Sequence, residues 1–248
     1  MLKLRNMLAV ASLAVLTVVY APTSSAGVTT PTAVASIQPA GQTVGVAHPI
    51  TVTFKQPIAN RAAAERAFAV AAPGMPAGSQ TGTFAWLDDR VLQWTPEQFF
   101  PAHSTITVTA GNTKASFQTG STVLGVADID AYTFTVSVDG EVMREMPASM
   151  GKPGFATPRG SFSVLAKENP VIMDSRTIGI PLDDPEGYRL TVYYAVRINS
   201  GGVYVHSAPW STDSQGYANV SHGCINLSPD NAAWYYDMVS IGDPVIVQ

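Results

Sequence analysis

Cysteine is the scarcest residue in this 248-residue chain, which contains only Cys224. A single thiol excludes an intramolecular disulfide framework, so Cys224 needs another explanation. Charged residues make up 13% of the chain and the formal net charge is -4, which argues against a nucleic-acid-binding protein. No apolar run reaches the roughly 20 residues that a membrane-spanning helix needs. The sequence therefore predicts a globular protein with one unpaired thiol.

The first 26 residues differ from the rest of the chain. Lys3 and Arg5 precede an apolar run over residues 7–20, and the small residues Ser24 and Ala26 follow. This order is typical of a cleavable export signal, with an uncleaved membrane anchor as the alternative. Removing residues 1–26 takes away two basic residues and no acid, so the net charge changes from -4 to -6. We expect an exported protein of the periplasm or cell wall, which touches the membrane only through this segment if it is uncleaved.

The remaining chain divides near residue 122. Before that point, short alternating segments such as ITVTF, GTFAW and STITVTA are separated by Pro, Gly and Asp. This pattern is typical of an antiparallel β-sandwich. The segment TFAWLDDRVLQW predicts a hairpin that places Trp86 and Trp94 in the core between the sheets. His48 and His103 fall in loops with no polar neighbours of interest, and we interpret both as structural.

Residues 123–248 predict a second, mainly β domain. AYTFTVSVDGEVMREM reads as two strands joined by a tight turn at Asp139-Gly140. Residues 169–190 have little periodicity, which predicts an irregular lid or binding loop. SPDNAAWYYDMVS is the one helical pattern, with Ser228 as N-cap and Pro229 at the first helical position.

The segment VYVHSAPWSTDSQGYANVSHGCIN holds the cysteine and two of the four histidines. A free thiol is only about 3% ionised at pH 7, so a nucleophilic cysteine needs a base. His206 ends a predicted strand and could reach Cys224 from a neighbouring strand. His222 would point to the same side as Cys224 if the backbone between them is extended. Gly223 leaves nearby backbone N–H groups unobstructed for an oxyanion hole.

Three interpretations compete at this point. A zinc site could use His206, His222 and Cys224, but the paired ligand spacings of structural zinc sites are missing. A papain-like peptidase would use the same thiol and imidazole, yet no histidine follows the cysteine in this chain. A non-catalytic wall-binding module would leave the cysteine unexplained.

His206 followed, after a gap of 14 residues, by SHGCIN resembles the signature of the L,D-transpeptidases with a YkuD-type catalytic domain. GKPGFATPRGSFSV is similar to an upstream segment of that family, and the sandwich resembles the immunoglobulin-like domain of mycobacterial members. The resemblance extends from about residue 34 to the C-terminus. It implies a mainly β protein: an immunoglobulin-like β-sandwich over residues 27–122, then a β-rich YkuD-type catalytic domain over residues 123–248 with a short C-terminal helix.

The resemblance also implies an activity, peptidoglycan cross-linking. In the family, the cysteine attacks the carbonyl of meso-diaminopimelate in a tetrapeptide donor, releases D-Ala and forms a thioester. The side-chain amine of a second meso-diaminopimelate then resolves the thioester and gives a 3→3 cross-link. An L,D-carboxypeptidase with the same chemistry and a wall-binding protein remain alternatives. The expected partners are peptidoglycan stem peptides and, as covalent inhibitors, carbapenems; no cofactor, metal or nucleic acid is expected.

The resemblance assigns roles to individual residues. Cys224 matches the nucleophile, His206 the general base, and Ser207 the residue whose carbonyl holds the imidazole tautomer. The oxyanion donors are implied to be backbone N–H groups around His222, Gly223 and Cys224, with the Tyr188 hydroxyl as a rival. Substrate contacts are implied for Tyr188 and for a further set: Met173, Ser200, Gly201, Gly202, Trp210 and Asn226. Ile178 departs from the family, because an aromatic residue is expected there in the lid.

Overall fold

The computed structural model describes residues 33–75 and 80–248, so the predicted export signal lies outside the described residues. Within those ranges, no helix is both long enough and apolar enough to cross a membrane. The first described part contains eight strands: β1 Val34–Gln38, β2 Thr43–Val44, β3 Ile50–Phe54, β4 Phe68–Ala71, β5 Gly82–Trp86, β6 Val91–Pro96, β7 Thr105–Ala110 and β8 Thr113–Thr119. They form two four-stranded sheets, ordered β1-β3-β6-β5 and β2-β8-β7-β4.

Alternating side chains from both sheets pack into one apolar core, as the alternation in the sequence predicts. Trp94 is buried in this core, but Trp86 is only partly buried. Trp86 donates from Nε1 to Glu65 Oε1 at 2.7 Å and carries the Arg61 guanidinium 4.9 Å from its ring centre. The predicted core position is confirmed for Trp94 and holds in part for Trp86, whose ring stacks on buried Phe54 with ring centres 5.8 Å apart while its polar edge stays at the rim.

A short helix, α1 Arg61–Arg66, interrupts the strands of the first part and was not predicted. Its sequence RAAAER is rich in alanine, the strongest helix former. Asn60 caps it by accepting a hydrogen bond from the Ala63 N–H at 3.0 Å. The helix carries Glu65 and Arg61 to the exposed edge of Trp86.

The second part contains further strands and one longer helix, α2 Pro229–Met238. The Ser228 side chain accepts from the Asn231 N–H and Pro229 opens the helix, which confirms the predicted cap. Two short 3₁₀ helices cover Ser175–Ile178 and Pro209–Ser211. The strands are β9 Val123–Asp128, β10 Thr133–Val138, β11 Glu141–Pro147, β12 Gly160–Ser163, β13 Ala166–Glu168, β14 Val171–Asp174, β15 Arg189–Val192, β16 Ala195–Arg197, β17 Tyr204–Ser207, β18 Ile225–Leu227 and β19 Pro244–Val247.

These strands form a five-stranded sheet, β11-β10-β9-β19-β12, and a four-stranded sheet, β13-β16-β17-β18. One apolar cluster with residues from both sheets and α2 forms the core, where the rings of Phe134 and Tyr235 meet edge to face at 4.9 Å. The predicted hairpin is confirmed: Val138 pairs with Glu141, and both turn residues between them have positive φ. The second sheet positions the candidate site.

Residues 169–190 are more regular than the sequence suggests. Strands β14 and β15 pair antiparallel, with Val171 opposite Val192 and Asp174 opposite Arg189, and they form a two-stranded ladder. The prediction of an irregular loop is wrong for these ends, because the pairing joins segments 15 or more residues apart and leaves no local periodic signal. We call residues 175–188, between the two strands, the lid.

The β-sandwich and the second part meet through backbone hydrogen bonds. The Gly45 N–H donates to the Ile241 carbonyl at 3.0 Å, and the Ala47 N–H donates to the Gly242 carbonyl at 2.8 Å. His103 takes part as well, because its Nε2 lies 3.1 Å from Asp139 Oδ2 in the hairpin turn. The expectation that His103 has no polar partner of interest is therefore wrong, since the partner is 36 residues away in sequence.

Asp243 lies buried next to this junction and is 2% exposed. Burial raises its pKa to about 7, although a hydrogen bond from the Ser240 backbone and the charge of Lys167 oppose the shift. The unfolded carboxyl has an ordinary pKa, so folding takes up a proton between the two pKa values. The resulting stabilisation is fully present below about pH 4 and is lost as the pH rises through about 7.

We expect the melting temperature of Asp243→Asn to rise relative to that of the wild type between about pH 5 and about pH 8, because the amide has no proton to lose. The lowered pKa of His206 acts in the opposite direction to Asp243, but it does so in both proteins and cancels in the comparison. Thermal unfolding followed by circular dichroism gives the melting temperatures of the wild type and of Asp243→Asn at each pH. Asp213→Asn, at an exposed position, is the control and should keep the wild-type pH dependence. An unchanged pH dependence in Asp243→Asn would contradict this assignment.

Candidate active site

Parallel pairing of β17 with β18 builds the centre of the site. The register places His206 opposite Asn226, and Cys224 immediately precedes β18. The histidine and the cysteine, which are 18 positions apart in sequence, thereby reach one cavity, which both side chains line. Rigid neighbouring strands hold such groups more precisely than loops do.

The chain from Ser221 to Cys224 is a tight turn held by side-chain hydrogen bonds. Ser221 Oγ donates to the Cys224 carbonyl at 2.7 Å and accepts from the Gly223 N–H at 3.0 Å. Thr157 Oγ1 donates to the Gly223 carbonyl at 3.0 Å. Gly223 has φ of +113°, which an L side chain rarely adopts. The extended backbone considered for His222 and Cys224 is therefore wrong, and glycine is needed for the turn itself.

His206 is 3% exposed and has a fixed tautomer. Its Nδ1 lies 2.9 Å from the Ser207 carbonyl oxygen. A carbonyl can only accept, so Nδ1 carries the proton and Nε2 has a free lone pair. Burial lowers the pKa of His206 to about 4, against the opposing effect of the Ser207 hydrogen bond. The imidazole is therefore neutral at pH 7 and able to accept a proton.

Cys224 is a neutral thiol in this site. Burial raises its pKa to about 11, and a hydrogen bond with the Tyr204 backbone only partly offsets the effect. The Sγ atom lies 3.7 Å from the Gly202 carbonyl oxygen, toward which the S–H can point. A neutral thiol and a neutral imidazole that line the same cavity are suited to general-base chemistry, in which deprotonation accompanies attack.

The cavity in front of Cys224 has a volume of about 300 Å³. Of the residues that the sequence suggested, Ser200, Gly201, Gly202, Ser207 and Gly223 do not line it, although Gly202 and Ser207 contact the cysteine and histidine through their carbonyls. Ile178 is 44% exposed in the lid and also lies outside the lining. The lining residues are Met173, Tyr188, Leu190, His206, Trp210, Ser211, Ser214, Val220, Ser221, His222, Cys224 and Asn226.

The possible oxyanion donors differ in availability. The Gly223 N–H is already bonded to Ser221 Oγ, which leaves it less suited to a substrate oxygen. The Cys224 N–H has no acceptor among residues 33–75 and 80–248. The Tyr188 hydroxyl belongs to a residue of the cavity wall, and burial raises the pKa of that phenol. The His222 N–H likewise has no acceptor within the described residues. The backbone amides of His222 and Cys224 and the Tyr188 hydroxyl are thus the candidate donors without another partner.

Asn226 is 2% exposed and sits at the back of the cavity. Its Nδ2 donates to Ser211 Oγ at 3.1 Å, while its buried Oδ1 has no partner within the described residues. Its backbone N–H and carbonyl bond to Ser149. Asn226 therefore holds the site through its backbone bonds to Ser149 and its side-chain bond to Ser211, and its buried Oδ1 stays without a partner in the described residues.

Several residues around the turn have no role in the sequence-based assignment. Ser221 and Thr157 hold the turn. Ser221 lies in SHGCIN and Thr157 in GKPGFATPRGSFSV, the two segments that carry the family resemblance, so their positions could have marked them as site residues. Lys152 and Glu186 form an ion pair that also reaches His222. No local pattern connects these last residues, because they come from three separate segments.

The three residues of the zinc alternative do not form a metal cluster in the structure. His222 Nε2 lies 2.9 Å from Glu186 Oε2, so its ring nitrogen has another partner. In the described part of the chain, no three His, Cys, Asp or Glu side chains are grouped so that they could hold a metal ion.

A buried imidazole of fixed tautomer and a thiol that line one cavity on a β scaffold are typical of an enzyme with a cysteine nucleophile. Comparison with known proteins gives the family. Residues 123–247 match the L,D-transpeptidase catalytic domain (YkuD), and residues 19–115 match a bacterial Ig domain. The chain belongs to the L,D-transpeptidase family.

Individual relatives support this assignment along most of the chain. L,D-transpeptidase 1 of Mycobacterium tuberculosis is 55% identical over 215 residues, which are 86% of this chain and 84% of the relative. An L,D-transpeptidase structure from Mycobacterium smegmatis is 66% identical, with a TM-score of 0.83 over 88% of this chain and 100% of that one. The structure of LD transpeptidase LdtMt1 in complex with imipenem is 54% identical, with a TM-score of 0.81. The match covers 87% of this chain and 99% of that one. The predicted family, fold class and enzyme class are confirmed.

Proposed function

We propose that this protein forms 3→3 peptidoglycan cross-links between meso-diaminopimelate residues, through a thioester on Cys224. The observation that carries the proposal is the neutral His206 imidazole, held by the Ser207 carbonyl with its free Nε2 in the cavity that Cys224 lines. That arrangement supplies a base for a thiol that burial keeps protonated. Membership in the L,D-transpeptidase family supplies the substrate class.

The first half-reaction is acylation of the thiol. As the Cys224 Sγ attacks the carbonyl of the third stem residue, its proton passes to His206 Nε2. The carbonyl oxygen becomes an oxyanion, which the backbone N–H groups of His222 and Cys224 or the Tyr188 hydroxyl would stabilise. His206 then returns the proton to the nitrogen of the departing D-Ala. The bond to D-Ala breaks, and a thioester and a neutral imidazole remain.

The second half-reaction returns the free enzyme. The side-chain amine of the acceptor meso-diaminopimelate attacks the thioester, and His206 takes one proton from it. That proton passes to the Cys224 sulfur as the thioester breaks, so the thiol is regenerated and an amide remains. The cavity would favour an amine over water only if the amine is bound and oriented beside the thioester carbon. Met173, Tyr188 and Trp210 line the cavity and would provide walls for such binding.

Substrate contacts are proposed in two groups. Met173, Tyr188, Trp210 and Asn226 would contact the donor stem, since they line the cavity. Ser200, Gly201 and Gly202 form the exposed turn between β16 and β17, where the absence of large side chains allows an extended peptide to approach the backbone.

We also propose the domain roles. Residues 1–26 would serve as an export signal, residues 27–122 as a spacer that holds the enzyme away from the membrane, and residues 123–248 as the catalytic domain. The match of the catalytic family model from residue 123 supports this division. The protein would then act in the periplasm or cell wall. A carbapenem should acylate Cys224, as the imipenem complex of a relative suggests.

The product distinguishes cross-linking from hydrolysis by an L,D-carboxypeptidase, because both activities share the acylation step. We expect disaccharide-tetrapeptides with meso-diaminopimelate to give dimers whose mass equals two monomers minus one D-Ala. Pentapeptide donors should react poorly. Tandem mass spectrometry should locate the new bond between two meso-diaminopimelate residues. Tripeptide monomers as the only product would establish a carboxypeptidase, and a 4→3 bond would overturn the proposal.

A further inference from the structure

A charged cluster lies at the rim of the cavity and plays no part in the chemistry described above. Glu186 Oε2, in the lid, accepts hydrogen bonds from Lys152 Nζ at 2.6 Å and from His222 Nε2 at 2.9 Å. Lys152 and Glu186 do not line the cavity, whereas His222 does. The same carboxylate oxygen therefore connects the lid to two residues beneath it.

Both residues beneath the lid are tied to the turn that carries Cys224. The Lys152 N–H donates to the Ser221 carbonyl at 3.0 Å, and His222 lies between Ser221 and Gly223 in that turn. The His222 ring also packs against Phe155, with ring centres 4.6 Å apart. Lys152 and His222 are thus part of one floor, whose position is fixed relative to the thiol.

The lid has its own internal structure, independent of the floor. The Ser175 N–H donates to the Tyr188 carbonyl, and the Ser175 carbonyl accepts from the Ile180 N–H. The buried Ser175 hydroxyl accepts from the Tyr188 N–H at 3.0 Å and donates to the Ile180 carbonyl at 2.9 Å. A methyl group at Gly187 would meet the Pro181 carbonyl oxygen, so the lid packs on itself. Such a segment can move as one unit about its flanking strands β14 and β15.

We propose that Glu186 is a positioning residue that latches the lid to the floor and thereby holds Tyr188 against the cavity. Tyr188 is two residues from Glu186, and its ring centre lies 5.1 Å from that of His222. This inference rests on the proposed function, because it concerns how the same site is closed over its substrate.

The charges at the cluster suit a latch that can open. Glu186 faces the cation of Lys152 and the imidazole of His222. The hydrogen bond from Lys152, and to a lesser extent the one from His222, lowers the pKa of Glu186. The carboxylate is therefore ionised at neutral pH. Side-chain exposures of 43% for Glu186 and 26% for Lys152 give water access to the pair. A partly exposed ion pair of this kind contributes only modestly to stability, so closure is favoured without being permanent.

Glu186→Ala tests the latch, with Asp183→Ala as the matched control in the same lid. Asp183 is exposed and forms no side-chain hydrogen bond or ion pair within the described residues. We expect Glu186→Ala to raise the KM for the tetrapeptide donor roughly five- to tenfold and to change kcat by less than about threefold. Asp183→Ala should match the wild type in both constants.

Access to the thiol gives a second readout, one that a general loss of stability would not reproduce. In Glu186→Ala the alkylation rate of Cys224 by a bulky polyethylene glycol maleimide should rise at least about threefold relative to the rate with iodoacetamide, because an open lid admits large reagents. Glu186→Gln retains the side-chain shape and should give a smaller change in the same direction if Glu186→Ala folds poorly. Lys152→Met should act through the same contact, so its effect should not add fully to that of Glu186→Ala.

The outcomes separate the latch from the proposed function. Wild-type KM and a wild-type alkylation ratio in both Glu186 variants would overturn the latch. So would fully additive effects of Glu186→Ala and Lys152→Met. The alkylation ratio requires only the thiol and the lid. A wild-type protein that forms no dimers would therefore overturn the proposed function, and the alkylation ratio would still decide whether the latch exists.

Discussion

Cys224→Ser is expected to reduce cross-linking by at least about three orders of magnitude. The hydroxyl is nearly isosteric with the thiol but is a weaker nucleophile and a poorer leaving group in the second half-reaction. The His206 Nε2 that suffices for a thiol is a poor match for the much less acidic alcohol. The variant should therefore bind the donor stem and fail to acylate.

Two measurements check this expectation. Dimer formation from disaccharide-tetrapeptides gives the rate, and intact-protein mass spectrometry after incubation with imipenem shows whether an adduct forms. The wild-type mass should increase by that of the carbapenem, and the mass of Cys224→Ser should stay unchanged. Circular dichroism should show the same fold in both proteins. Substantial turnover by the serine variant would contradict a dedicated thiol.

His206→Ala is expected to lower kcat/KM by two to four orders of magnitude, the usual contribution of a positioned general base. The effect should be large because burial raises the pKa of Cys224 to about 11 and few thiolates form without a proton acceptor. At higher pH the variant should recover part of its rate, since solvent then ionises the thiol directly. Steady-state kinetics over a range of pH measures both effects.

His103→Ala is the matched control for this substitution. His103 contacts Asp139 between the β-sandwich and the catalytic part and is remote in sequence from the cavity lining, so its removal should leave turnover near the wild-type value. If His206→Ala kept a tenth or more of the wild-type activity, the proton acceptor would have to be another group, with His222 as the first candidate. Donor binding should change little in either variant.

Much of the fold could be predicted because its signals are local. Alternating apolar residues indicate the sandwich strands, Asp139-Gly140 indicates a tight turn, and Ser228-Pro229 indicates the start of α2. The motif around His206 and Cys224 indicated the family and the enzyme class. Each of these signals lies within a few residues of the structure it specifies.

The remaining features depend on contacts between distant segments. The pairing of β14 with β15 and the link from Glu186 to Lys152 and His222 join residues that no periodic pattern relates. The turn at Gly223 could not be predicted for another reason. Glycine is compatible with both an extended chain and a turn, and the hydrogen bonds to Ser221 and Thr157 that select the turn are visible only in the structure.

The raised pKa of Cys224 has a further consequence, for the durability of the enzyme. Peroxides and disulfides react with the thiolate rather than the thiol, so a sulfur that stays protonated is oxidised slowly. Slow oxidation matters here because the chain has no second cysteine to resolve a sulfenic acid as an internal disulfide. An oxidised site would depend on thiols supplied from outside. In the proposed mechanism, the same raised pKa that calls for a base such as His206 would also protect Cys224 from oxidation between turnovers.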